Sequence, residues 1–572
     1  MRTLCLILGK KHLPFAALLL LCALTTGCPP QNPVGPAAAF TAVVNGLTLT
    51  FTDTSLPGSE AITAWAWDFG DGGASTEQSP SHTYVATGTY AVSLTVTTAV
   101  GNDSHTAAMS VNSRRYVKPG SAGNGTSWGS AFGTIQAAVD AAFAAGGGDV
   151  WVAAGTYVDT LEAVVSMRSN VSVYGGFLGS EDSFHARDWG LNVTIIDGQA
   201  TRRCVLGAND GILDGFTIRN GHGGYDGGGM LNRYDSSPTI SNCKFVENSA
   251  YLGGGMYNAN GSSPTVSNCK FVRNTAQGAG GGMYNFDSSP TVCSCTFFEN
   301  AASVGGGMHN TSSSPTVDNC TFAGNTAEAG GGMRNDNSTS MLTISNSSFT
   351  ENTADYGGGM DNISASPTLL NCTFAGNVAN VGGGGMDNSS ASPTVSNCTF
   401  FENTAYVLGG GMCNSEESSP TVLNCTFAEN AARQGGGMDN QYSFPSLTNC
   451  TFFGNSASSG GGMWIFRGSL TMSNCILWAD SAVGGGGEIY DFDSAAAVAV
   501  KHSCVEGGLS GAGNISADPL FVDAVMGDYR LQGGSPCIDS GTAEGAPDTD
   551  ILGVLRPQGV GYDMGAYEYT GE

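Results

Sequence analysis

The sequence predicts an all-β chain: a small β domain near the N-terminus, then a long parallel β-helix. Three observations carry this. A Gly-Gly-Gly-Met block recurs, ending at Met230, Met256, Met283, Met308, Met333, Met360, Met386, Met412, Met438 and Met463. Successive blocks lie 25–27 residues apart, and so steady a period marks a repeat architecture. Between glycine runs each repeat reads like "TVSNCTFFEN", where Cys398 and Phe400 share one face of a strand and Thr399 takes the other. Composition argues the same way: 85 of 572 residues are Gly, and Gly, Asn, Ser and Thr are poor helix formers.

Other repeat architectures fit less well. Leucine-rich repeats need a Leu framework, and Leu is sparse in this stretch. Calcium-binding nonapeptide repeats need a period of nine, which is absent. In a parallel β-helix each repeat is one coil, and coils pair at ~4.8 Å. Phe then stacks over Phe from Phe245 to Phe452, and the Asn three residues on (Asn248 to Asn455) sits at a turn. Asn amides stacked in this way hydrogen-bond along the ladder. The glycine triplets permit positive φ and a sharp corner where a Cβ would clash. The Pro of "SSPT" or "ASPT" stiffens another.

Nine of the 17 cysteines form one ladder: Cys243, Cys269, Cys295, Cys320, Cys372, Cys398, Cys425, Cys450 and Cys475. Ser347 fills the same slot in one repeat. A metal ligand or obligatory bridge tolerates that exchange poorly, and a small buried side chain tolerates it well. We therefore expect free thiols in the ladder. Cys504 and Cys537, outside it, are better disulfide candidates.

Residues 1–27 carry Arg2, Lys10 and Lys11, then the apolar "FAALLLLCAL" and "TTGC" ending at Cys28. This resembles a bacterial lipoprotein signal, which implies lipidation of Cys28 and a location at the outer membrane or cell surface. Thr25 stands where that pattern has Leu, and a plain secretory signal is the alternative. Removing the segment's three basic residues leaves 18 basic against 48 acidic, a net charge of −30. Such a surface repels nucleic acid and anionic membrane, so the lipid is the expected membrane attachment.

Residues 28–36 read as a Pro-rich tether. Residues 37–113 contain "WDFGDGG", "SPSHTY" and "GTYAVSLTVT", and this stretch resembles a PKD domain, which implies an immunoglobulin-like β-sandwich. Trp67 is expected in its core, and Asp68 and Asp71 in turns. Residues 114–228 are read as a cap and first coils, because Ile135, Ala138, Val139, Ala142 and Phe143 fall at helical spacing before "GGGDVWVAAGTY". That order resembles the cap of pectate-lyase-like β-helices and implies a right-handed helix with a short N-terminal capping helix. Residues 229–480 are the regular repeats. Their Phe-x-x-Asn and glycine blocks resemble chlamydial polymorphic outer-membrane proteins, which implies surface location and adhesion. Residues 481–572 hold terminal coils and a stretch, "ADPLFVDAVMGDYRLQGGSPCIDSGT", that resembles the choice-of-anchor Q module.

If the ladders are scaffold, function lies in what varies. The residue after each Gly-Gly-Gly-Met is Leu231, Tyr257, Tyr284, His309, Arg334, Asp361, Asp387, Cys413, Asp439 and Trp464. Met points inward, so this stripe is expected to face out. Tyr257 and Tyr284 suit sugar rings, and His309 and Arg334 suit acidic sugars, so the leading reading is a surface-anchored adhesion protein that contacts polysaccharide. Asp361 and Asp387 can share a Ca²⁺ ion through carboxylate oxygens. A polysaccharide lyase or hydrolase is the runner-up, with His309, Arg334 and Asp361 as its catalytic group. A structural surface protein, with the stripe a plain solvated face, is the third reading. The oligomeric state is not legible.

Overall fold

The computed structural model describes residues 33–85, 88–111, 113–338, 342–494 and 496–571. The expected signal segment, residues 1–27, and Cys28 lie outside the described residues. The chain divides into a small N-terminal unit and a larger one from residue 112 onward.

The first unit is an antiparallel β-sandwich. One sheet holds Phe40–Asn45, Thr48–Asp53 and Ser81–Thr83, and the other Ala64–Asp68, Ala74–Ser75, Gly88–Thr98 and Gly101–Val111. Val92, Leu94 and Val96 alternate into a core shared with Phe40, Phe51, Trp67 and Phe69. The Trp67 indole N–H donates to the Glu77 carbonyl at 2.9 Å. Asp68 and Asp71 each accept a backbone N–H two residues on, from Gly70 and Gly73, as turn-forming Asp does.

The second unit is a right-handed parallel β-helix with sheets of 13, 14 and 15 strands. A typical coil contributes Thr394–Ser396, Thr399–Phe401 and Met412–Ser415, one strand to each sheet. Neighbouring coils pair like with like, Phe374 on Phe400 and Met386 on Met412. The Phe rings stack 4.6–4.8 Å apart and within 5° of parallel from Phe245 to Phe452.

The corners use left-handed residues more widely than glycine alone. Asn397 and Glu402 have φ of 53° and 51°. Only the first glycine of a triplet has positive φ, as Gly409 does at 58°. The next two answer to space, since a Cβ on Gly410 or Gly411 would fall 2.5 Å from the carbonyl oxygen of Gly436 or Gly437 on the next coil. Positive φ thus accounts for the first position of each Gly-Gly-Gly-Met triplet, and the expected clash of a Cβ for the other two.

Polar ladders run inside the helix. Each Asn of the Phe-x-x-Asn series donates its amide to the next Asn Oδ1 at 2.9–3.0 Å, from Asn248 to Asn455. A second ladder, two residues after each Met, links Asn232 to Asn440 at 2.7–2.9 Å. Its ends are left over: Asn232 Oδ1 and Asn440 Nδ2 have no partner among the described residues. The ladder cysteines are free and buried. The Cys372 N–H donates to Cys398 Sγ at 3.3 Å, and the Cys320 N–H donates to Ser347 Oγ at 3.1 Å. Ser347 therefore does the work of a ladder cysteine.

Both ends are covered. The helix Ile135–Ala144 inserts Ile135, Ala138, Val139 and Ala142 into the core. Phe143 is not part of that face: it is exposed, with the Arg168 guanidinium 5.7 Å from its ring. One residue beyond Ala142, it falls off the edge of the apolar stripe. At the other end the last residues fold back along the coils. Asn424, Asn449 and Asn474 donate to the carbonyls of Thr549, Asp563 and Thr542 at 2.6–3.0 Å. The fully buried Arg556–Glu568 ion pair, at 2.9 Å, fixes that segment. Cys504 and Cys537 share its small core as free thiols.

Candidate functional site

The stripe after each Met is in register on successive coils, as expected. His309 pairs with Arg334, Arg334 with Asp361, and Asp361 with Asp387. It does not face solvent. His309 is 5% exposed and Asp361 1%, Tyr284 and Asp387 are also buried, and Tyr257 is half-buried. The cause is the segment before each glycine run, which turns back over the strand that follows. A Cβ on Gly305 would lie 2.5 Å from His309 Cβ, and one on Gly382 would lie 3.6 Å from Asp387 Oδ1. These segments pair among themselves as a narrow outer sheet, from Thr353–Tyr356 to Ser481–Ala482. The solvent-facing stripe is thus corrected to a mostly buried one, in which Tyr257 and Arg334 keep partial exposure.

From Tyr257 to Asp361 the side chains contact one another, while His309 Nδ1, both Asp439 oxygens and Trp464 Nε1 have no hydrogen-bond partner among the described residues. Tyr257 stacks on Tyr284 at 5.2 Å, and Tyr284 on His309 at 5.0 Å. His309 Nε2 lies 2.7 Å from Asp336 Oδ2. Arg334 donates to Asp336 Oδ1 at 2.9 Å and to Asp361 Oδ2 at 2.8 Å. Burial lowers the His309 pKa, with Asp336 opposing. Burial works to raise Asp336, but the hydrogen bonds from His309 and Arg334 outweigh it and hold it below the usual carboxylate range. Burial, and then the neighbouring Asp387, pushes Asp361 well above that range. Burial takes Asp387 up to about 6. The catalytic candidates His309, Arg334 and Asp361 are together, with His309 and Asp361 buried and Arg334 partly exposed. No group of three or more His, Cys, Asp or Glu in ligand arrangement occurs among the described residues.

An accessible site lies elsewhere, near the start of the helix. A groove of about 620 Å³ is lined by Trp189, Thr217, Asn242, Lys244, Asn268 and Lys270, among others. Lys244 and Lys270 are register partners on adjacent coils, and both are exposed. Their slot lies between the ladder Cys and Phe, where later coils carry Thr296, Thr321, Ser348, Thr373, Thr399, Thr426 and Thr451. Trp189, 43% exposed, forms a wall. The Arg187 guanidinium lies 5.0 Å from its ring and 2.6 Å from Asp214 Oδ1, which anchors the wall to the coils. On the floor, Asn268 Nδ2 donates to Asn242 Oδ1 at 2.6 Å, and Asn242 Nδ2 to Asp214 Oδ2 at 2.8 Å. Two ammonium groups on neighbouring rungs repel, so the arrangement favours an anion between or above them. The exposed stacked tyrosines are Tyr225 and Tyr251, at 5.3 Å, not Tyr257 and Tyr284.

Comparison with known proteins bears on the scaffold. The family described as a right handed beta helix region matches residues 188–349 and 333–504. The chain belongs to this family. The PKD domain family matches residues 30–112 of the same protein, so the β-helix follows a PKD domain. Among curated proteins, the pre-pro-metalloprotease PrtV of Vibrio cholerae is 36% identical over 90 residues, 16% of this chain and 10% of that protein. The chain therefore spans about a tenth of the length of that relative. Among solved structures, the PKD1 domain of the same metalloprotease is 38% identical, covering 14% of this chain and 98% of its own, with a TM-score of 0.14. The tailspike protein of E. coli bacteriophage HK620, solved with a pentasaccharide, is 14% identical over 66% of this chain and 73% of its own, with a TM-score of 0.32. The A-module of the mannuronan C-5 epimerase AlgE6 of Azotobacter vinelandii is 15% identical over 67% of this chain and 94% of its own, with a TM-score of 0.27.

The groove was missed by sequence reasoning. Its one local signal was Lys at two rungs of a slot that is mostly Thr.

Proposed function

We propose that this β-helix protein is a surface-anchored binding protein that contacts an acidic polysaccharide through the groove of Trp189, Lys244 and Lys270. The paired lysines carry the reading. They are two of only 21 basic residues in a chain with 48 acidic ones, and they sit on adjacent rungs beside an exposed indole. An indole face stacks on a sugar ring, the amides of Asn242 and Asn268 reach hydroxyls, and the ammonium groups meet carboxylates at about the repeat of a pleated sheet. The lipid at Cys28 would tether the protein to the bacterial surface, with the PKD domain between anchor and β-helix. Loss of palmitate labelling in Cys28→Ala is the expected result, and unchanged labelling rules the anchor out.

The test of the groove uses Lys244→Thr/Lys270→Thr, which installs the residue that most later coils already carry and so spares the fold. Retention on polyuronate columns at low salt should fall at least about tenfold, with the residual binding insensitive to salt. Retention equal to the parent's sinks the groove. Chain shortening of the retained polymer would convert the reading to an enzyme acting at the same place.

A further inference from the structure

The ladder of Phe-x-x-Asn amides does not end in an Asn. Asp480 takes the next rung, and its Oδ1 accepts from the Asn455 backbone N–H at 2.7 Å and from Asn455 Nδ2 at 2.8 Å. Any asparagine would do that much, since each earlier rung accepts in the same way. What an Asp adds is a charge on its other oxygen. Asp480 Oδ2 has no partner, and neither has Glu488 Oε2 close by, whose Oε1 accepts the Asp480 N–H at 3.3 Å. Both residues are more than nine-tenths buried, at 7% and 8% exposed. They line one cavity of about 350 Å³, together with Glu506 and with Gly486, Gly487, Gly507 and Gly508. Two carboxyl groups within hydrogen-bonding reach of each other need either a shared proton or a cation between them, and no Lys or Arg lines the cavity.

We propose that Asp480 and Glu488 bind a Ca²⁺ ion that closes the C-terminal end of the asparagine ladder. Carboxylate oxygens suit a hard cation. Glycine backbone on two sides leaves carbonyl oxygens and room for water to complete six to eight ligands. With two buried carboxylates and an exposed third, Glu506, affinity belongs in the weak range of extracellular modules, about 10⁻⁴–10⁻³ M. The ion would join the last regular coils to the segment Val505–Leu509, so binding stabilises that end of the helix.

The experiment compares the full chain with Asp480→Asn by calorimetric titration with CaCl₂ and by thermal unfolding in EDTA or CaCl₂. Asp480→Asn extends the ladder with the residue used on every earlier rung, and its amide can donate to Glu488. It should fold at least as well as the parent in EDTA. The parent should bind Ca²⁺ saturably and unfold at a higher temperature with it, and Asp480→Asn should lose both responses. Glu488→Gln, should Asp480→Asn fail to fold, is expected to weaken binding at least about tenfold. No saturable heat and no shift in the parent up to about 10 mM, tenfold or more above the expected Kd, would leave the pair sharing a proton only and overturn the site. Parent-like binding in both variants would overturn it equally.

Discussion

Replacing Asp387 by Asn should make the protein more stable, and only at higher pH. Asp387 is buried on the rung between Asp361 and Cys413. Burial raises its carboxyl from 3.8 to about 6. The difference is roughly 2 units, each worth 1.36 kcal/mol, so the ionised form costs about 3 kcal/mol in the folded state. The folded chain holds this proton more tightly than the unfolded chain does. Its contribution is therefore complete below pH ~4 and lost as pH rises through about 6. Asn keeps the shape and removes the titration. Parent and variant should unfold alike at pH 4, and the variant should gain about 3 kcal/mol at pH 8. Coils of a solenoid open with their neighbours rather than all together. Backbone amide exchange across Val378–Ser389 is therefore the sharper assay, with urea unfolding as the global check. A variant that is less stable at pH 8, or a gain of equal size at both pH values, would refute burial as the source of the shift.

Phe349→Ala should cost about 3–5 kcal/mol, since it empties a fully buried slot between two stacked rings; denaturant unfolding that moves by less than 1 kcal/mol would count against a rigid Phe ladder. Cys398→Ser should change stability by under about 1 kcal/mol, because Ser347 already accepts the same backbone N–H in another coil. Thermal unfolding checks this, and a large loss would mean that the sulfur packs in a way serine cannot.

How much was legible depended on whether a feature is set by neighbours in sequence. A period of 25–27 residues and the alternation in "TVSNCTF" placed Cys, Phe and Met inside and the polar turn residues at corners. The Asn two residues after Met230 through Met438 was not read as a ladder, although it recurs as Met-x-Asn. It forms the second ladder because the residue two beyond an inward Met also points inward. The glycines were read as corners needing positive φ and room that a Cβ would fill, but which cause acts at which position was not legible, because the close approach of Gly410 and Gly411 is to a different coil.

The sequence by itself determined the repeat, the strand faces and the residues that stack, because each follows from strand geometry two residues at a time. Tertiary structure decided which outward faces reach water. Alternation says that His309 and Asp361 point away from the core, but not that the backbone before each glycine run lies over them. Nor does it say that Trp189, an insertion away, overhangs Lys244 and Lys270. Exposure is a property of everything packed around a side chain, and those neighbours are brought there by the coil, not by the order of the chain.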